Sequence, residues 1–274
     1  MNWLETFNAR LRESLNEPAS ASPRLEEALR SALQGPGKRL RPRFVHEAGS
    51  LFALSEEAIL HCAIAVESVH LFSLVHDDLP ALDNDDFRRG LPTLHRQFDD
   101  ATALLTGDEL LNHAYSGLAL AVVRCPKADV ARTFRFFSHC TGRAGMIGGQ
   151  MLEVELLRDG KEPDLALLSR IQLLKTGALF RAAILLPALL AGETEKSPRF
   201  RDLDAYAHDF GFAFQIADDL EDESQDLAQS RKNILSHLGR ESAIRLALAN
   251  LDRHKIATSF SATRTLIELL SSKS

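Results

Sequence analysis

Apolar residues recur at three- and four-residue spacing along almost the whole of this 274-residue chain. That period belongs to helices packed on one another. Clusters of Val, Ile and Thr with period-two alternation, the mark of strands, are scarce. Leu, Ala, Glu and Arg, all good helix formers, dominate the long segments. The breakers are few, 15 glycines and 10 prolines. They place connections at 18–23, 35–37, Pro80, 90–92, Pro126, 160–163 and 192–198, and the polar run 221–232 reads as another. No change of composition divides the chain and no short repeat runs through it. Residues 1–274 therefore read as one all-α domain, a single helical bundle.

Composition narrows the class further. Thirty-two basic against 38 acidic residues give a net charge of −6, which advertises no nucleic-acid surface. Cys62, Cys125 and Cys140 are odd in number, far apart and free of any CxxC pair. They read as reduced, buried thiols of a cytoplasmic protein. No uninterrupted apolar run reaches the roughly 18 residues of a membrane span. Near the N-terminus Trp3, Phe7 and Leu11 form one stripe of an amphipathic helix, and Glu5, Arg10, Arg12 and Glu13 interrupt any signal-peptide core.

The densest charge stands where a helix must end. Residues 76–86, His-Asp-Asp-Leu-Pro-Ala-Leu-Asp-Asn-Asp-Asp, hold five carboxylates: Asp77, Asp78, Asp83, Asp85 and Asp86. The apolar run before them is helical in pattern, and Pro80 cannot continue it. Asp77 and Asp78 thus fall in its last turn, where the helix dipole disfavours anions. Such a site needs a cation, and oxygen-only ligands select a hard one, Mg²⁺ or Mn²⁺. A second cluster begins 141 residues later (218 minus 77): Gln215-Ile216-Ala217-Asp218-Asp219-Leu220-Glu221-Asp222. Asp218 and Asp222, four apart, share a helix face with Gln215 and Gly211. Cations accompany the acids: Lys38, Arg39 and Arg41 after a Gly-Pro-Gly turn, Arg88 and Arg89, and Lys175-Thr176 inside an apolar helix, where a lysine is costly unless paired. Divalent metal with several Arg and Lys is what a diphosphate demands. There is no GxxxxGK[ST], so the arrangement is not a P-loop.

In this combination the chain resembles the trans-isoprenyl diphosphate synthases, in particular the short-chain bacterial farnesyl and geranylgeranyl type. The matching blocks are GKRLRP (37–42), HDDLPALDNDDFRRG (76–90), ATALLTGDELL (101–111), LLKTGALFRAA (173–183) and FQIADDLED (214–222), with GGQMLEVE (148–155) a sixth. The resemblance implies the isoprenoid synthase type I fold: a single-domain bundle of about ten or more helices around a central cavity, usually a homodimer. It implies a prenyltransferase that joins isopentenyl diphosphate to an allylic diphosphate, dimethylallyl or geranyl.

By the same resemblance Asp77, Asp78, Asp83, Asp218, Asp219 and Asp222 match metal ligands, for about two to three Mg²⁺ ions with Mn²⁺ as a substitute. Arg88, Lys175, Thr176, Gln215 and Lys232 match positions that hold the allylic diphosphate. Gly37, Lys38, Arg41, His70 and Arg89 match the isopentenyl diphosphate site. The catalytic set is then Asp77, Asp78, Asp83, Arg88, Lys175 and Asp218. Phe72, five residues before Asp77, with the small Ser73 after it, occupies the position that closes the floor under a growing chain and points to a C15 product, with C20 as the runner-up. Two departures stand out: the loop after the second motif is short, and the C-terminus carries no basic tail.

Three other readings use part of the pattern. His70 and His76-Asp77 resemble the metal motif of HD-type phosphohydrolases but leave the second cluster and GKRLRP without a role. A class I terpene cyclase shares the aspartates but needs no Lys38, Arg41 or Arg89. A non-catalytic regulatory subunit would not keep both acidic motifs intact.

Overall fold

The computed structural model describes residues 2–16, 21–34, 37–160, 162–229 and 233–273, with backbone only over 222–229. In chain order the elements are helices α1 (Trp3–Ser14), α2 (Pro23–Ala32), α3 (Leu40–Leu51) and α4 (Glu56–Asp77). A hairpin of β1 (Phe87–Arg88) and β2 (Leu91–Pro92) leads to the short α5 (Leu94–Gln97) and the long α6 (Asp100–Val123). There follow α7 (Val130–Thr141), α8 (Met146–Asp159), α9 (Leu165–Gln172), a π-helical turn (Leu173–Gly177), α10 (Ala178–Leu190) and α11 (Pro198–Gln229). The chain ends in α12 (Ile234–Leu238), α13 (Arg240–Asp252), a 3₁₀ turn (Lys255–Ser259) and α14 (Ser261–Lys273). The expected all-α class is what the chain adopts. Its contacts gather into two compact units, Met1–His46 with Leu54–Pro126, and Glu47–Ala53 with Lys127–Ser274.

In the first unit α4 packs along α6. Ser55 starts α4 by accepting from the Ala58 amide at 3.3 Å, and Asp99 starts α6 by accepting from Thr102 at 2.7 Å. Each such cap stabilises a helix by about 1 kcal/mol. From Ala58 to Val75 α4 is buried on almost every side, as a helix apolar all round must be. Each Val, Leu, Ile or Phe taken from water there contributes about 1.5–3 kcal/mol. The Trp3 stripe behaves as its spacing predicts, with Phe7 and Leu11 buried.

In the second unit α10 is buried along nearly its whole length and packs on α11 and α7. Phe180 meets Phe210 and Phe214 at 5.1 and 4.8 Å. Further along α11, Tyr206 stacks on Phe260 at 4.9 Å, and buried Asp209 accepts from Arg253 and His254, tying the last helices to α11.

One connection expected from the sequence, 221–232, is helical over 221–229, and 230–232 lie outside the described residues. The polar run from Glu221 does not break the chain, because α11 continues to Gln229. Neither Gly nor Pro occurs between Gly211 and Gln229, and Glu, Gln, Leu and Ala sustain a helix whether or not they are apolar. The three cysteines are free and buried, and burial pushes the Cys140 thiol up to about 12. Two helical stretches, Glu56–Asp77 and Leu165–Leu190, are long and apolar enough to cross a bilayer, but 78% and 72% of those windows are buried within the protein.

Candidate diphosphate site

The first acidic motif is a helix end folded back on itself. Asp78 caps α4, its amide still donating to Leu74. The amide of Asp83 donates to the carbonyl of Asp77 at 2.9 Å, and that of Asn84 to Leu79 at 3.1 Å. The loop made by Pro80 thus folds the backbone of Asp83 back onto that of Asp77. Asp77 is half-buried and Asp83 exposed.

Asp78 points elsewhere. It is 5% exposed, and its Oδ1 accepts from Arg88 Nε at 2.6 Å. Burial pushes its carboxyl up, and the Arg88 guanidinium only partly offsets this. Neighbours on a helix lie about 100° apart, so Asp77 and Asp78 cannot both face the same ion from the helix surface. The hairpin sets the arginines. Its two-residue loop, Arg89-Gly90, has both φ values positive, 53° and 80°, the conformation that closes a tight β-hairpin and favours glycine. Arg88 is left beside Asp78 while Arg89 forms the tip.

Four arginines of the first unit gather around His70. Its pKa is held well below 6.5, first by loss of water around the ring and then by the guanidinium charges of Arg41, Arg89, Arg39 and Arg88. Of the residues matched to isopentenyl diphosphate, Arg41, His70 and Arg89 are therefore brought together. Gly37 lies on the loop before α3, beside the exposed Lys38. Phe72 is buried on α4, edge-on to His76 at 4.8 Å, and the Ser73 hydroxyl donates to the His70 carbonyl at 2.9 Å.

This cluster has a consequence for stability. A histidine kept neutral by the fold must bind a proton to unfold, so the native state is penalised as pH falls below the unfolded value, about 6.5, toward the lower folded one. His61 and His113, both shifted down chiefly by burial, act in the same sense. The melting temperature should therefore drop as pH falls below about 6.5. His70→Gln should flatten that drop, and an unchanged slope would show that His70 titrates normally.

In the second unit α11 carries Gln215, half-buried Asp218 and buried Asp219. Asp219 is committed within the protein. Its Oδ1 accepts from Gln215 at 3.0 Å and Gln172 at 3.4 Å, and its Oδ2 accepts from the Ile234 amide at 3.0 Å. The side chain of Asp222, and Lys232 entirely, lie outside the described residues. Lys175 finds the partner its apolar surroundings require, Glu153 on α8, at 2.5 Å. Lys175 and half-buried Thr176 sit on the π-helical turn, a local widening found often at functional sites. That turn rests against Gly149, where a Cβ would lie 2.3 Å from the Lys175 amide nitrogen. This explains the GGQMLEVE block: only a glycine lets α8 approach the backbone that presents Lys175.

Among the described residues, no group of three or more His, Cys, Asp and Glu is preassembled to hold a metal ion. The donor chemistry nonetheless fits Mg²⁺, which keeps waters and binds through one or two carboxylates plus substrate phosphates rather than in an all-protein cage. Spacing alone does not reveal Glu153, Gln172 or Glu67. Glu153 lay within a quoted block, and Glu67, a lone acid in the apolar run of α4, was a signal that could have been read.

The chain is similar to known proteins in both sequence and fold. The polyprenyl synthetase family profile matches residues 22–257. The farnesyl diphosphate synthase of Escherichia coli (strain K12) is 43% identical over 212 residues, covering 77% of this chain and 70% of that one. An apo crystal structure of an FPP/GFPP synthase from Zymomonas mobilis superposes with a TM-score of 0.81 at 36% identity, over 98% of this chain and 94% of that one. A geranyltransferase from Helicobacter pylori, solved with magnesium and isoprenyl diphosphate, gives a TM-score of 0.78 at 26% identity, over 99% and 93%.

Proposed function

The chain belongs to the polyprenyl synthetase family, and from that premise we propose that it joins isopentenyl diphosphate to dimethylallyl or geranyl diphosphate and releases farnesyl diphosphate. It is a transferase of prenyl groups. The observation that carries the reading is the fold-back of the first motif, in which the Asp83 amide donates to the Asp77 carbonyl at the end of a buried helix.

In this reading Asp77 and Asp83 on the first motif, and Asp218 and Asp222 on the second, would hold Mg²⁺, while Asp78 and Asp219, which also match ligand positions, support them through Arg88 and through Gln215, Gln172 and the Ile234 amide. When bound, the ion neutralises charge on a departing diphosphate. The protein's own cations do the rest. Arg88 and Lys175 donate charge-assisted hydrogen bonds to the allylic diphosphate, with Thr176, Gln215 and Lys232 beside them, and these bonds strengthen as negative charge builds on the leaving oxygen. Asp78 holds the Arg88 fork and Glu153 holds the Lys175 ammonium until substrate arrives. Gly37, Lys38, Arg41, His70 and Arg89 bind isopentenyl diphosphate. The allylic C–O bond breaks, the isopentenyl double bond attacks the allylic cation so formed, and a proton is then lost to the departing diphosphate. Apolar walls exclude the water that would quench the cation.

We further propose that 1–274 acts as one isoprenoid synthase domain, cytoplasmic and without a membrane span, on small isoprenoid diphosphates rather than nucleic acid. Three buried free thiols support the reducing compartment. A homodimer is supported by the exposed apolar residues Leu104, Leu105, Leu120 and Val123 along α6.

The test is to incubate the protein with isopentenyl diphosphate, Mg²⁺ and each allylic primer, then size the products. C15 is expected. Phe72 lies roughly 7.5 Å, five residues, before Asp77 along α4, so Phe72→Ala should deepen the floor and move products to C20 or longer. A stably folded variant that still stops at C15 places the floor elsewhere, and a wild-type product of C20 or more refutes the length assignment.

A further inference from the structure

Glu67 is 2% exposed in the middle of α4, between Val66 and Val69, where an unpaired carboxylate would be prohibitive. Its partner is Arg39, whose guanidinium donates to Glu67 Oε1 and, through Nε, to Asn8 Oδ1 at 3.1 Å. The Arg39 side chain is itself only 9% exposed. Its backbone is left-handed, with φ 48°, a conformation a non-glycine residue keeps only when its surroundings hold it there.

Arg39 is the middle cation of Lys38-Arg39-Leu40-Arg41. It is the one seen to pair with buried Glu67, while Lys38 stays exposed and Arg41 is half-buried as Arg39 is. Glu67 also sits in the electrostatic neighbourhood of Arg89, together with Arg39 and Arg88. A carboxylate therefore stands behind a group of guanidiniums that would otherwise repel one another while the site is empty.

We propose that Glu67 is a positioning residue for isopentenyl diphosphate: by tethering Arg39 it fixes the 37–41 loop, so that Lys38 and Arg41 are held ready for the diphosphate. This rests on the proposed prenyltransferase reading and adds to it a residue that touches no substrate.

The test is a double-mutant cycle of Glu67→Gln, Arg39→Gln and the double variant, with KM measured for each substrate separately. If the pair is a tether, all three variants break the same device. Each should raise KM for isopentenyl diphosphate by a similar factor, at least about tenfold, with KM for the allylic primer within about twofold of wild type. A role through charge alone gives the opposite pattern, since Glu67→Gln adds net positive charge and tightens binding while Arg39→Gln weakens it. That pattern, effects that multiply in the double variant, or equal losses for both substrates would overturn the proposal. Glu67→Gln leaves a buried guanidinium unpaired and risks misfolding; the double variant removes both charges, and a folded double variant with wild-type KM is equally fatal. A wild type that makes no product sinks the proposed function instead, and calorimetric binding of isopentenyl diphosphate to the same variants still decides the tether.

Discussion

Asp77→Ala and Asp218→Ala should each lower turnover by about a thousandfold or more while leaving the helical fold intact. Asp77 sits in the last turn of α4, where the helix dipole disfavours its charge, beside the exposed Asp83, Asp85 and Asp86. Asp218 is half-buried on α11, next to buried Asp219. Two like charges about 4 Å apart repel by about 1 kcal/mol even in water. Removing one should therefore leave the metal-free melting temperature unchanged or raise it. A loss of activity together with a gain in stability is the signature of a residue kept for chemistry. Near-full turnover in either variant would falsify the metal assignment for that motif. Asp219→Ala should behave differently, because it removes the acceptor of Gln172, Gln215 and the Ile234 amide, and so should destabilise the protein as well as slow it.

Gly149→Ala should reduce turnover by about a hundredfold or more from a single added methyl group. The new Cβ would lie 2.3 Å from the amide nitrogen of Lys175 and 2.8 Å from its Cα. These are backbone atoms of a packed turn, with no flexible side chain to swing aside. Either α8 or the π-helical turn must move, at a cost of about 1–3 kcal/mol, and either movement separates Lys175 from Glu153 and misplaces the ammonium that meets the allylic diphosphate. The loss should appear in kcat and in KM for the allylic primer, with KM for isopentenyl diphosphate little changed. Wild-type kinetics in a variant of wild-type stability would mean that α8 and the turn slide apart freely and that the close approach has no functional role.

Much of this was legible in the chain because a helical period repeats many times and averages out exceptions. The apolar stripe of α1, the buried α4 and the end of α4 before Pro80 all follow from spacing and from the geometry of proline. The hairpin at 87–92 was not, because two-residue strands are too short to show alternation; only the Arg89-Gly90 pair hinted at its turn. Nor was the direction of a side chain. Asp77 and Asp78 are identical letters in sequence, yet a rotation of about 100° puts one at the helix end and buries the other against Arg88. Asp218 and Asp219 divide in the same way, one half-buried and one clasping the Ile234 amide. Lys175 was expected to be paired but its partner was not named, since Glu153 stands on another helix. Nothing in the run Lys38-Arg39-Leu40-Arg41 marks Arg39 as the cation that pairs with Glu67, because Glu67 stands on another helix.

The most direct measurement follows a label carried by isopentenyl diphosphate through a reaction containing the protein, an allylic primer and Mg²⁺, with each component omitted in turn. The label should move into a C15 diphosphate only when all are present, with release of one inorganic diphosphate for each bond formed. Label that stays in isopentenyl diphosphate while the allylic substrate is hydrolysed or cyclised, or that moves equally well without primer or metal, would contradict a prenyl transfer built on the two aspartate motifs.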